Sequence, residues 1–146
     1  MALKGQSTRA SFLEWDTMQL LLQKLERDGQ YKFQLLIAIG CYTGLRISDL
    51  LKLRWNDVLN RKTLELVERK TQKNRKIHLN PALIEIISRL YKKMNISDDN
   101  ELLFINKTKT KAINVQYVNR MLKTIVAKYN IQMSANSTSS HLFRKT

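Results

Sequence analysis

Cysteine is almost missing from this chain. A single Cys41 excludes an internal disulfide and points to a reducing compartment, with the thiol read as a small core residue. With two His beside that one Cys, a structural zinc site would need carboxylates at unmatched spacing, so no metal is expected. One Pro and four Gly in 146 residues leave few chain reversals, which favours long helices over a many-turned sandwich. Acidic residues are outnumbered, with 12 Asp and Glu against 26 Lys and Arg and a net charge of +14. That exceeds what solubility asks for and points to a polyanionic partner, nucleic acid first. An anionic membrane surface is the rival, but the strongly apolar helical segments carry few bulky aromatics. A structural RNA binder fits the charge equally well. No apolar run approaches the roughly 20 residues of a membrane span, and the start lacks a signal-peptide core. The expected location is the cytoplasm, in association with the nucleoid.

What is present is one domain's worth of helical pattern with a patch of strand, an α+β, mainly helical chain. Residues 1–11 read as a flexible lead-in or linker, with the folded domain over 12–146. Met18, Leu21, Leu22 and Leu25 recur at helical spacing, and Asp28-Gly29 ends that helix. Tyr31 to Tyr42 is apolar almost all round, which predicts a central helix. Gly44 can close it as a left-handed cap. A short helix beginning near Leu45 would set Arg46 and Asp49 on one face, guanidinium beside carboxylate, with Leu45, Leu50 and Leu53 turned to the core. After Trp55 the period changes: Leu64 and Leu66, then Ile77 and Leu79, alternate with polar residues and predict a hairpin, or a three-stranded sheet at most. Its basic tip carries Arg69, Lys70, Lys73, Arg75 and Lys76, and suits a DNA groove. His78 is read as solvated or DNA-facing.

Asn80-Pro81 is a helix start, followed by a core stripe of Leu83, Ile86, Ile87, Leu90, Tyr91 and Met94. Ser97 to Glu101 is an acidic loop expected to face away from the partner, and Leu102 to Phe104 a short buried segment. Lys107, Lys109 and Lys111 form a second basic loop suited to phosphates. Asn114 can cap a helix with Val115, Val118, Leu122, Ile125, Val126 and Tyr129 inward and Arg120, Lys123 and Lys128 outside that stripe. Met133 to Ser140 reads as a loop, from which Ser139 or Ser140 can cap a helix opening at His141.

Three separated elements carry chemistry: Arg46 with Asp49, Lys70 on the hairpin, and His141 with Arg144 on one helical face. Arginines offer planar forks to phosphate oxygens, a lysine can supply a proton, and a histidine can hydrogen-bond or exchange one. In order and spacing, Thr43-Gly44-Leu45-Arg46-Ile47-Ser48-Asp49-Leu50, Arg69-Lys70-Thr71 and His141-Leu142-Phe143-Arg144-Lys145-Thr146 resemble the catalytic domain of the tyrosine recombinases, the phage-integrase family. The resemblance implies a helical catalytic domain with a small antiparallel sheet, acting on double-stranded DNA. It implies strand cleavage by a tyrosine through a 3′-phosphotyrosyl link, with no cofactor. Arg46 and Arg144 would bind the scissile phosphate and stabilise its transition-state charge. Lys70 would protonate the 5′-oxygen leaving group, His141 would assist on the phosphate, and Asp49 would hold the first arginine's neighbourhood. Lys73, Arg75, Lys76, Lys107, Lys109 and Lys111 would contact DNA around them. The full-length protein would assemble as a homo-oligomer, a tetramer on DNA.

The family's nucleophilic tyrosine follows the His-x-x-Arg motif, whereas all five tyrosines here precede Arg144. Tyr42, Tyr91 and Tyr129 read as core-face residues. The expectation is therefore a partial catalytic domain, without the family's C-terminal helices or N-terminal core-binding domain, that binds DNA weakly and does not cleave it alone. Two other readings share the charge and motifs: a non-catalytic DNA-binding protein that keeps the fold, and a type IB topoisomerase-like enzyme.

Overall fold

The computed structural model describes residues 13–131, so the lead-in, the loop from Met133 and the helix expected at His141 lie outside the described residues. Helix α1 (Trp15–Arg27) buries Met18, Leu21, Leu22 and Leu25, the stripe that its spacing predicts. Gly29, at φ +74°, turns the chain, and the Gln30 N–H closes the helix end onto the Leu25 carbonyl at 2.9 Å. Helix α2 (Tyr31–Thr43) is buried from Phe33 to Cys41. A helix apolar on every side must lie at the middle, and α1 packs on it.

Gly44, at φ +68°, ends α2 and donates to the Gly40 carbonyl at 2.8 Å. A single turn, α3 (Ile47–Leu50), follows, with Leu45, Leu50 and Leu53 in the core as expected. A second single turn, α4 (Trp55–Val58), has no signal in the sequence because four residues are too few to show a period. Its Trp55 is fully buried and meets the Tyr91 ring edge-on at 5.4 Å.

Strands β1 (Thr63–Val67) and β2 (Asn74–His78) form an antiparallel pair with Leu64 opposite Ile77 and Glu65 opposite Lys76. Among the described residues the sheet has two strands, not three. Elsewhere Arg54 pairs with Leu102, and Ile105 with Ala112, through isolated bridges. The segment between turns instead of extending, which drives Leu103 and Phe104 into the core.

Helix α5 (Pro81–Lys93) is capped by Asn80, whose side chain accepts from the Ala82 N–H at 2.8 Å, and it packs on α2. Helix α6 (Val115–Lys128) is capped by Asn114 in the same way, from the Tyr117 N–H at 2.8 Å. The acidic loop is docked, not free. The Asp99 and Glu101 carbonyls accept from the backbone of Asn56 and Trp55, and the Asp99 carboxylate accepts from the Tyr91 hydroxyl at 2.6 Å.

Candidate nucleic-acid interface

The turn at Gly44 delivers Arg46 to the position just before α3, with extended backbone angles of φ −67° and ψ 149°. This corrects the expected Arg46–Asp49 pair. The Asp49 carboxylate turns instead to the Arg69 N–H and the Lys52 ammonium, and the Arg46 guanidinium forms no hydrogen bond or ion pair among the described residues, although its charge acts on Glu68.

Asp49 is buried, and its Oδ1 accepts from the Arg69 N–H at 3.0 Å and lies 3.4 Å from the Lys52 ammonium. The carboxylate of the first motif therefore holds the backbone of the β1–β2 loop, one residue before Lys70. Lys70 itself is exposed.

Glu68 organises that loop. Its N–H donates to the Lys73 carbonyl, its carbonyl accepts from the Gln72 N–H, and its carboxylate accepts from Thr71 Oγ1 at 3.1 Å and Arg75 Nη1 at 3.0 Å. The Arg75 hydrogen bond, with help from Thr71 and the charges of Arg75 and Arg46 and against the opposing effect of burial, holds the Glu68 carboxyl below its ordinary range. Gln72 takes the left-handed turn position at φ +58°.

Lys73 and Lys76 are exposed, but Arg75 is engaged with Glu68. Arg75 and Lys76, being neighbours on one strand, project to opposite faces of the hairpin, so the structure does not gather both on one surface. His78 is exposed, as its alternation suggests.

The second basic loop is rigidly built. Asn106 Oδ1 accepts from the Thr110 N–H at 2.9 Å, and the Asn106 N–H donates to the Lys111 carbonyl at 2.8 Å. Lys107, Lys109 and Lys111 are left exposed around this staple. Beside it runs an open groove of about 730 Å³, lined by Lys32, Lys107, Lys111, Tyr117 and Arg120 among others. Sequence reasoning assigned no role to Lys32, which lies in the first turn of the apolar α2. Its ammonium donates to the Ile105 carbonyl, and burial together with the charges of Lys107 and Lys109 pulls its pKa down, against Glu101.

The tyrosine hydroxyls expected at core faces are engaged locally. Tyr42 accepts from Gln19 at 2.9 Å, while Tyr91 donates to Asp99 and Tyr129 to Asp28. Those carboxylates, and burial, raise the pKa of Tyr91 and Tyr129, with the Arg27 charge opposing at Tyr129. His141 and Arg144 lie outside the described residues.

The model of the phage integrase family matches residues 11–146. The chain belongs to the phage integrase family. A probable integrase/recombinase, YoeC of Bacillus subtilis (strain 168), is 33% identical over 131 residues, covering 90% of this chain and 66% of the relative. Among solved structures, XerA recombinase superposes with a TM-score of 0.71 at 21% identity, covering 91% of this chain and 47% of that one. XerH recombinase in a pre-cleavage complex with its difH substrate gives 0.66 at 21% identity, covering 92% and 40%. The integrase-family chain thus spans under two thirds of the curated relative's length and under half of these structures. At such identities the structural matches speak for the fold alone, a mainly helical domain with a small antiparallel sheet shared with these recombinases.

Proposed function

We propose that this chain is catalytic-core material of a site-specific tyrosine recombinase, which breaks and rejoins double-stranded DNA through a 3′-phosphotyrosyl intermediate. The observation that carries the reading is the junction at Asp49: one buried carboxylate joins the segment bearing Arg46 to the loop bearing Lys70. Two cationic groups far apart in sequence are thereby held to one rigid support, as a phosphate site requires.

In the proposed chemistry Arg46 and Arg144 bind the non-bridging oxygens of the scissile phosphate and neutralise the charge that builds in the pentacoordinate transition state. Lys70 gives a proton to the departing 5′-oxygen. His141 hydrogen-bonds the phosphate and assists that transfer, and Asp49 acts as a positioning residue through the Arg69 amide. Lys73, Lys76 and the Lys107, Lys109 and Lys111 loop, with Lys32 and Arg120 along the groove, supply phosphate contacts on the flanking duplex. The full-length protein would act as a homo-oligomer on DNA in the cytoplasm, on the nucleoid. Tyr42, Tyr91 and Tyr129 serve the scaffold through their hydrogen bonds, and none of the five tyrosines is nominated as the nucleophile, since all of them precede Arg144.

The test is the salt dependence of binding to duplex DNA. Each phosphate neutralised adds about −0.9 to the slope of log K against log salt, so Arg46→Ala should make the slope shallower by about that amount. An unchanged slope and affinity would remove Arg46 from the site. Incubation with a nicked suicide duplex should leave the 146-residue chain free of covalently bound DNA. A trapped adduct would mean that a tyrosine of this chain is the nucleophile.

A further inference from the structure

Lys52 belongs to no motif, yet it stands at the junction just described. Asp49 has a side chain with 0% exposure, whereas that of Lys52 is 49% exposed. A carboxylate withdrawn from water needs a counter-charge or hydrogen bonds to remain ionised. Two cations flank it in sequence, Arg46 three residues before and Lys52 three residues after. The structure takes the second: the Lys52 ammonium lies 3.4 Å from Asp49 Oδ1, whereas the Arg46 guanidinium makes no ion pair among the described residues.

The same ammonium donates to the Val67 carbonyl at 3.3 Å. Together with the Asp49–Arg69 bond, this holds the chain on both sides of Glu68, at the exit from β1. The second oxygen of Asp49, Oδ2, is buried with no partner among the described residues, so the carboxylate retains unspent acceptor capacity.

We propose that Lys52 is a positioning residue: by neutralising Asp49 and tying the end of β1, it leaves the Arg46 guanidinium free for DNA and holds the Lys70 loop in register. Without the Lys52 charge, the buried carboxylate draws in the remaining cation of its segment, Arg46, and the loop loses one of its two anchors. The Arg46 half of the inference rests on the proposed function, whereas the loop half does not.

The experiment uses the 146-residue chain with Lys52→Met and Lys52→Arg. Without DNA, amide hydrogen exchange at Arg69, whose N–H donates to Asp49, should rise at least about tenfold in Lys52→Met and return to the parent rate in Lys52→Arg. With a 20-base-pair duplex as probe, Lys52→Met should lose about 0.9 of salt slope, as Arg46→Ala does, and the double variant should lose no more than either single change. Unchanged exchange in Lys52→Met overturns the proposal. Additive slope losses overturn it as well, because they would make Lys52 an independent phosphate contact. If Arg46→Ala leaves the slope unchanged while exchange still rises in Lys52→Met, the phosphate role of Arg46 fails and the loop anchor stands. Lys52→Gln takes the place of Lys52→Met in both arms should the methionine variant lose its helical circular dichroism.

Discussion

Gly44 shows how a single residue shapes this site. Its φ of +68° ends α2 and redirects the chain so that Arg46 emerges before α3. An added Cβ at Gly44 would meet no atom within 4 Å, so the cost of Gly44→Ala is backbone strain alone. That cost should be about 1–2 kcal/mol, read as a lower urea midpoint. A loss below about 0.3 kcal/mol would mean that the turn relaxes away from the left-handed region. At this scale the candidate residues Arg46, Asp49 and Lys70 could be named from type and order in the chain, though each is a weak signal alone. The partner of Asp49 was not. An i,i+3 rule pairs it with either cation on its flank, and only the folded structure, with the Lys52 ammonium 3.4 Å from Asp49, decides for Lys52.

Among the elements, α2 carries the domain. From Phe33 to Cys41 every residue is buried, and α1, α3 and α5 pack around it. Leu36, with 0% exposure, should cost about 2–5 kcal/mol when cut to Ala, measured by denaturant unfolding. A loss under about 1 kcal/mol would contradict the central placement of the helix. Helices α1, α5 and α6 were legible because 13 or 14 residues show a period clearly, with Asn caps marking the starts of α5 and α6, and α2 was legible as a continuous apolar run. The single turn α3 was expected from the Gly44 cap before it, whereas α4 was not legible, being held by surroundings rather than by pattern. Here α4 is fixed by Arg54 and Asp57, whose side chain accepts from the Arg54 N–H at 2.8 Å, and by the acidic loop docked against it.

For the whole molecule, α1, α2 and α5 are cross-linked by Glu26. Its carboxylate takes hydrogen bonds from Arg89 and Gln34 and pairs with Lys93 at 3.0 Å. The Arg89 bonds chiefly, with Gln34 and Lys93 and against the effect of burial, lower the Glu26 pKa from 4.5 to about 2. A depressed carboxyl stabilises the fold above its unfolded value and loses that contribution as pH falls through the folded value. Glu26→Gln should therefore be less stable than the parent at pH 7, with the gap narrowing as pH falls from 4.5 towards 2. Thermal unfolding across that range is the check, and a gap that stays constant with pH would show that Glu26 is not linked to folding as a charge.

By itself the sequence determined the helical class, the hairpin, the basic character and the family, because period, caps, charge and motif spacing are local properties of a chain. Tertiary structure alone decided that Asp49 grips the Arg69 amide and takes its counter-charge from Lys52, and that the acidic loop docks on α4. It also brought Lys32 to one groove with Lys111 and Arg120. Those contacts join residues far apart in the chain or choose between equally spaced neighbours. The choice depends on how the core packs beneath them, and no local pattern encodes it.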